Sequence, residues 1–173
     1  MLAASAGFVG CDNYDSDFIP EYASVVRIDH DGAQTVQVTA TGLTRYDMVL
    51  KRSGHNISQP TEVEVDVMTD DEWAKYAANY DMKSYDRIPV DCYSFGADAS
   101  ESGARIVKFA ANSDSDTLVV NLNGVKLASF EAQLKASSTD IPTMCLPLRL
   151  VKVSSGSIYS EQQNLVLVVK LAE

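Results

Sequence analysis

The sequence predicts a mostly β protein, a β-sandwich carrying one or two short helices, and three observations predict it. Period-two alternation recurs along the chain, as where Val63, Val65 and Val67 are set against Glu62, Glu64 and Asp66. Turn residues punctuate these runs at Asp31-Gly32, Gly42, Pro60, the small polar stretch 96–103 and Asn123-Gly124. Segments with helical spacing are few and brief, without the regular strand-to-helix alternation that βαβ crossovers need.

Taken in order, Val25 to Ile28 is a first strand, and His30-Asp31-Gly32 turns the chain. Val36, Val38 and Ala40 alternate with Gln37, Thr39 and Thr41 in the next strand. Tyr46, Met48 and Leu50 mark a third, and residues 53–60 form a polar loop. The organising stretch is 61–95. Its opening strand is followed by Thr69-Asp70-Asp71-Glu72, the spacing of a capping box, with acidic residues suited to the positive helix end. Trp73, Tyr76, Ala77 and Tyr80 then recur on one aromatic helical face. Ile88-Pro89 restarts an extended run, with Ile88, Val90 and Cys92 alternating against Asp91 and Tyr93.

Further on, Val107 and Phe109 share one side of a strand spanning 105–111, and residues 112–116 form a loop. Leu118, Val120 and Leu122 alternate in a strand that Asn123-Gly124 closes. Leu127, Phe130 and Leu134 fall at i, i+3 and i+7, a brief helix before Ser137. Leu146, Leu148 and Leu150 mark a strand in which Pro147 signals an edge or a beginning. Leu165 to Val169 is apolar on both faces, which places the last strand centrally in its sheet.

A chain of 173 residues suits one domain with a real core. A net charge of −10 argues against nucleic acid as a partner, because binding phosphates needs a basic face. It also argues against adsorption to an anionic membrane. No apolar run approaches the roughly 20 residues that span a bilayer. The N-terminus differs from the rest. Leu2 to Gly10 is small and apolar, and Cys11 is followed by Asp12, Asn13, Tyr14 and Asp15. Phe8-Val9-Gly10-Cys11 resembles the lipobox of bacterial lipoproteins, in which the cysteine is lipidated. No Lys or Arg precedes it, as a start codon placed too far downstream would explain. The expected organisation is a residual lipoprotein signal at 1–11, a flexible tether at 12–24 and one sandwich domain at 25–173. Acidic residues after the cysteine resemble an outer-surface export signal, so the expected location is the bacterial cell surface or the periplasm. Membrane contact is then through the lipid anchor alone.

Cys92 and Cys145 either form a disulfide in that oxidising location or remain buried thiols. Chemistry is sparse. His30 and His55 are the only histidines, and neither has zinc-ligand spacing. Asp70, Asp71 and Glu72 are explained by the helix start, and the oxygen-rich loop 112–116 lacks the glycine and later glutamate of an EF-hand. There is no nucleophile elbow, P-loop or dinucleotide fingerprint. The reading is therefore a non-enzyme with no cofactor and no metal. Trp73 and Tyr76 are read as pins of the helix onto the sheet. Tyr80 and Tyr85, in polar surroundings, are the candidates for weak carbohydrate binding, since a sugar stacks its C–H face and hydrogen-bonds its hydroxyls.

With these residues laid out, the segment from about Val25 to Leu171 resembles an N-terminal domain of unknown function on Bacteroidetes surface lipoproteins. That domain belongs to glycan-utilisation loci and precedes family 18 endoglycosidases and discoidin-like modules. The resemblance rests on the helix ending Tyr76-Ala77-Ala78-Asn79, on Ile88-Pro89 before Tyr93 and Phe95, and on Met144-Cys145-Leu146-Pro147-Leu148-Arg149-Leu150. Met144 stands where the family typically shows a tyrosine. The resemblance implies an immunoglobulin-like antiparallel sandwich, a lipid anchor and a non-catalytic role as an accessory or spacer near glycans. The rival expectation is a structural adhesion or assembly subunit that binds a neighbouring surface protein.

Overall fold

Alternating side chains become strands here because a strand with one face on the core has its other face toward water, as in β4. The computed structural model describes residues 24–54, 57–96, 105–139 and 141–172. Cys11, His55 and all of the expected tether except Ser24 lie outside the described residues. The chain runs β1 (Val25–Ile28), β2 (Gly32–Thr39), β3 (Leu43–Ser53), β4 (Thr61–Val67), α1 (Asp70–Asn79), β5 (Tyr85–Arg87) and β6 (Tyr93–Phe95). It continues with β7 (Ile106–Phe109), β8 (Ser115–Asn123), α2 (Gly124–Ser137), β9 (Thr143–Val153), β10 (Ser157–Ile158) and β11 (Asn164–Ala172). One sheet is ordered β10-β1-β3-β8-β6; the other is β2-β11-β9-β4-β7, with β5 also on β9. Together they form the expected mostly β, immunoglobulin-like sandwich with two helices. Its ladders are antiparallel except for the pairings β1–β10, β2–β11 and β5–β9.

Between the sheets lies the main core. Ile28, Met48, Leu50, Val120 and Leu122 from the first sheet meet Val63, Leu146, Leu148, Leu165 and Leu167 from the second. Leu127 of α2 is fully buried there, with Phe130 and Leu134 packed beside it. Asn123 does more than close β8, because its side chain caps α2 by accepting from the Lys126 amide at 3.1 Å. Gly124 is required at the next position. A Cβ there would lie 1.8 Å from the Thr39 carbonyl oxygen, so any side chain would push α2 off β2.

A second cluster covers the outer face of the second sheet. Met68, Trp73, Ala77 and Met82 pack on Cys145, Val166 and Val168. This explains why β11 is apolar on both sides: Leu165, Leu167 and Val169 face the main core, while Val166 and Val168 face α1. The strand is internal, flanked by β2 and β9, as the sequence predicts. Burying each such side chain contributes about 1.5–3 kcal/mol, so α1 is held by packing more than by its own propensity.

Two expectations change. Residues 90–92 form a 3₁₀ turn between β5 and β6, so the extended run from Ile88 is broken. Pro89 opens that turn with no side-chain cap, and Val90 points outward, 77% exposed. Pro147 is neither at an edge nor at a beginning, since it lies mid-strand in β9, opposite Val166 on β11. The reason is local. Its carbonyl accepts from the Met68 amide at 3.0 Å, so its nitrogen, on the same side, faces the gap between β4 and β5. There the chain has left for α1, and no ladder bond is lost. The open question of the cysteines is also decided. Cys92 is in the main core and Cys145 in the outer cluster, both as free thiols.

Candidate functional site: a tyrosine shelf on α1

The start of α1 is tied down from three strands. As β4 ends opposite Leu148, Thr69 caps the helix: its hydroxyl accepts from the Glu72 amide at 3.4 Å, while Glu72 accepts from the Thr69 amide at 2.9 Å. Glu72 also pairs with Arg149 of β9 at 2.9 Å. Arg87 of β5 pairs with Asp70 and donates to the Met68 carbonyl. All three acidic residues of the first turn thus lie where the helix start attracts negative charge, and two of them carry ion pairs that orient the helix.

That orientation sorts the aromatic face. Trp73 is buried, 8% exposed, as the sequence predicts for a pin on the sheet. Tyr76 is half-buried, and Tyr80, at the helix C-cap, is 60% exposed. The rings form a column. Trp73 and Tyr76 lie 6.1 Å apart at 22°, and Tyr76 and Tyr80 lie 4.4 Å apart at 29°. Tyr80 is therefore an exposed ring already fixed by the ring beneath it, which lowers the ordering cost of stacking a ligand on it.

Polar groups border this shelf. The Asp31 carboxylate accepts from Gln162 at 3.2 Å, Gln162 in turn accepts from Arg27 at 3.0 Å, and Gln34 donates to the Asp31 carbonyl at 3.2 Å. Gly32 and Ala33 pair with Leu165 and Val166, and Val166 lies under α1, so this corner sits beside the helix. Burial raises the Tyr76 phenol above its ordinary pKa, and the charges of Tyr80 and Asp31 add to the effect. Tyr76 thus keeps its proton and can donate it.

Tyr85, the other expected residue, opens β5 opposite Thr143. It is half-buried against the outer cluster, and its amide donates to the Met82 carbonyl at 3.0 Å. Tyr85 thus packs on the outer cluster while Tyr80 stands exposed at the end of α1, and the ring that Tyr80 meets is Tyr76. Sequence reasoning gave Tyr76 to packing alone, although its i+4 spacing to Tyr80 was the available signal.

The remaining candidates are committed or empty of chemistry. His30 is exposed, 3.9 Å from Asp29. The oxygen-rich loop 112–116 turns the Ser113 carbonyl onto the Arg52 guanidinium at 2.7 Å. Among the described residues no three His, Cys, Asp or Glu side chains gather as metal ligands, and no helix is long and apolar enough to cross a membrane.

No family profile matches the chain, and no curated protein matches it. Solved structures do. One is a "putative carbohydrate binding protein" from Bacteroides ovatus, with TM-score 0.60 and 15% identity over 84% of this chain and 36% of that one. Another is a Bacteroides ovatus protein of unknown function, TM-score 0.56, 13% identical, covering 91% and 46%. A third is a multidomain protein including DUF1735 from Bacteroides ovatus, TM-score 0.55, 16% identical, covering 86% and 45%. The likeness is one of fold. The chain spans less than half the length of each of these three proteins.

Proposed function

We propose that this chain is a non-catalytic accessory or spacer module of glycan capture, held at a bacterial cell surface by a lipid on Cys11. The observation that carries the reading is the Tyr76–Tyr80 stack, a pre-fixed exposed ring at the C-cap of α1. The carbohydrate-binding name of one fold neighbour supports it. Stacking a sugar on Tyr80 contributes about 1 kcal/mol beyond burial, by analogy with aromatic pairs. One or two such contacts leave affinities near millimolar, useful where many anchored copies act together.

Calorimetric titration against host and plant glycans tests this. Millimolar binding that falls in the Tyr80→Ala variant, and further in Tyr80→Ala with Tyr85→Ala, is the expected result. Micromolar binding that survives both changes places the site elsewhere, and released reducing sugar overturns the non-catalytic reading. For the anchor, palmitate labelling of the wild type against Cys11→Ser is decisive, and equal labelling of the two removes it.

A second reading, an assembly subunit binding protein, is favoured by β2. It is an edge strand of eight residues, Gly32–Thr39, with neither charge nor proline to discourage strand addition. A pull-down that selects partners through β2, and loses them in Thr35→Pro, would favour it over glycan capture.

A further inference from the structure

Away from the tyrosine shelf, a groove of about 450 Å³ opens between the last turn of α2, the segment entering β9, and β5. Its size falls within the roughly 300–1,000 Å³ of small-ligand sites. The wall from β5 is polar. Side chains alternate along a strand, so Ser84 and Asp86 line the groove while Tyr85 between them packs on the outer cluster. Thr143, opposite Tyr85 in the ladder, borders the groove from the neighbouring strand, with its side chain on Tyr85's face of the sheet. The side chains of Ser84 and Asp86 make no hydrogen bond or ion pair with another described residue. Ser137 donates its proton to the Leu134 carbonyl at 2.9 Å, which leaves its oxygen able to accept. The opposite side is apolar, made by Leu134 and Pro142 with Ile141 on the rim, 89% exposed.

The chemistry of the lining selects its ligand. Among the described residues no Lys or Arg lines the groove, and Asp86 is negative, so phosphate and carboxylate ligands are disfavoured. The single carboxylate among the described lining residues is too few charged ligands for a divalent cation. A saccharide fits both walls. Two vicinal hydroxyls can donate to one carboxylate, the serine hydroxyls exchange hydrogen bonds with the others, and the C–H face takes the apolar side.

We propose that this groove binds one unit of a neutral glycan, with Asp86 accepting from vicinal hydroxyls and Leu134 and Pro142 taking the ring's C–H face. The assignment rests on the glycan reading above but names a site apart from Tyr80. NMR titration of the ¹⁵N-labelled full chain with glucose, galactose, mannose and N-acetylglucosamine tests it. Backbone amides at 84–87 and 143–144 are expected to shift, with binding weakened about tenfold in Asp86→Ala and in Ser84→Ala at an unchanged thermal midpoint. Shifts confined to 76–80 overturn the groove and leave the glycan reading standing. Groove shifts that both variants leave unaltered overturn the roles assigned here, and no shift with any sugar overturns both.

Discussion

The guanidinium of Arg52 lies 5.2 Å from the centre of the Phe109 ring, in a residue only 2% exposed. Its hydrogen bonds go to neutral oxygens. Nε and Nη2 donate to the Ser113 carbonyl, Nη1 to the Gln59 carbonyl and the Thr61 hydroxyl, and Nη2 also to the Ile57 and Ala110 carbonyls. A planar fork of five N–H groups is thereby satisfied, and the loops before β4 and after β7 are stapled to β3. Lysine cannot reproduce this. Arg52→Lys leaves several buried carbonyls without donors, at about 1–3 kcal/mol each. The expected loss is about 3 kcal/mol or more by urea denaturation. A loss under about 1 kcal/mol would show that water replaces the fork.

Trp73 fastens α1 over Cys145, Val166 and Val168. Trp73→Ala is expected to cost about 3–5 kcal/mol, because the cavity opens between helix and sheet, where neighbours cannot easily close it. The same variant should expose Cys145 to thiol reagents. An unchanged denaturation midpoint would mean that the helix is held by its ion pairs alone.

The capping box carries a pH dependence. The hydrogen bond from the Thr69 amide, with the Thr69 hydroxyl and Arg149 adding to it, holds Glu72 below its ordinary 4.5. A lowered carboxylate pKa stabilises the fold above about pH 4.5 and loses that contribution as pH falls through the folded value. Thr69→Ala is expected to cost about 1 kcal/mol at pH 7. The difference between it and the wild type should shrink below pH 4, as followed by thermal melts. A constant difference across that range would detach the cap from Glu72.

Both described cysteines are chemically quiet. Burial pushes the Cys92 thiol up to about 11 and the Cys145 thiol up to about 12, from 9.0. The unfolded chain therefore ionises first, so this contribution is whole below about pH 9 and declines as pH rises toward 12. In a Cys11→Ser background, a thiol reagent at pH 8 should find no reactive group in the native protein and two after denaturation. Rapid modification of either thiol in the native state would contradict the packing.

What could be read from the chain alone was whatever its physics keeps local. Thr69 and Glu72 are three residues apart, so the helix start is written in one window. Val63, Val65 and Val67 show their buried face without reference to a partner. The double-sided apolarity of Leu165 to Val169 even announced an internal strand, although not that α1 would be the cover on its second face. Tertiary structure decided everything that depends on who meets whom. Nothing beside Arg52 in the sequence marks it as buried; topology brings Ser113 and Ala110 to it from 61 and 58 residues away. Pro147 looks like an edge signal until β4 and β5 are found end to end along β9, with their gap at its nitrogen. Cys92 and Cys145 remain candidates for a bond until the two clusters part them. Tyr80 becomes a fixed shelf only once Trp73 is anchored on the sheet, and the groove at Asp86 exists only because α2 ends beside β5. Short-range spacing determines which elements form; long-range pairing determines which of their side chains are left free to act.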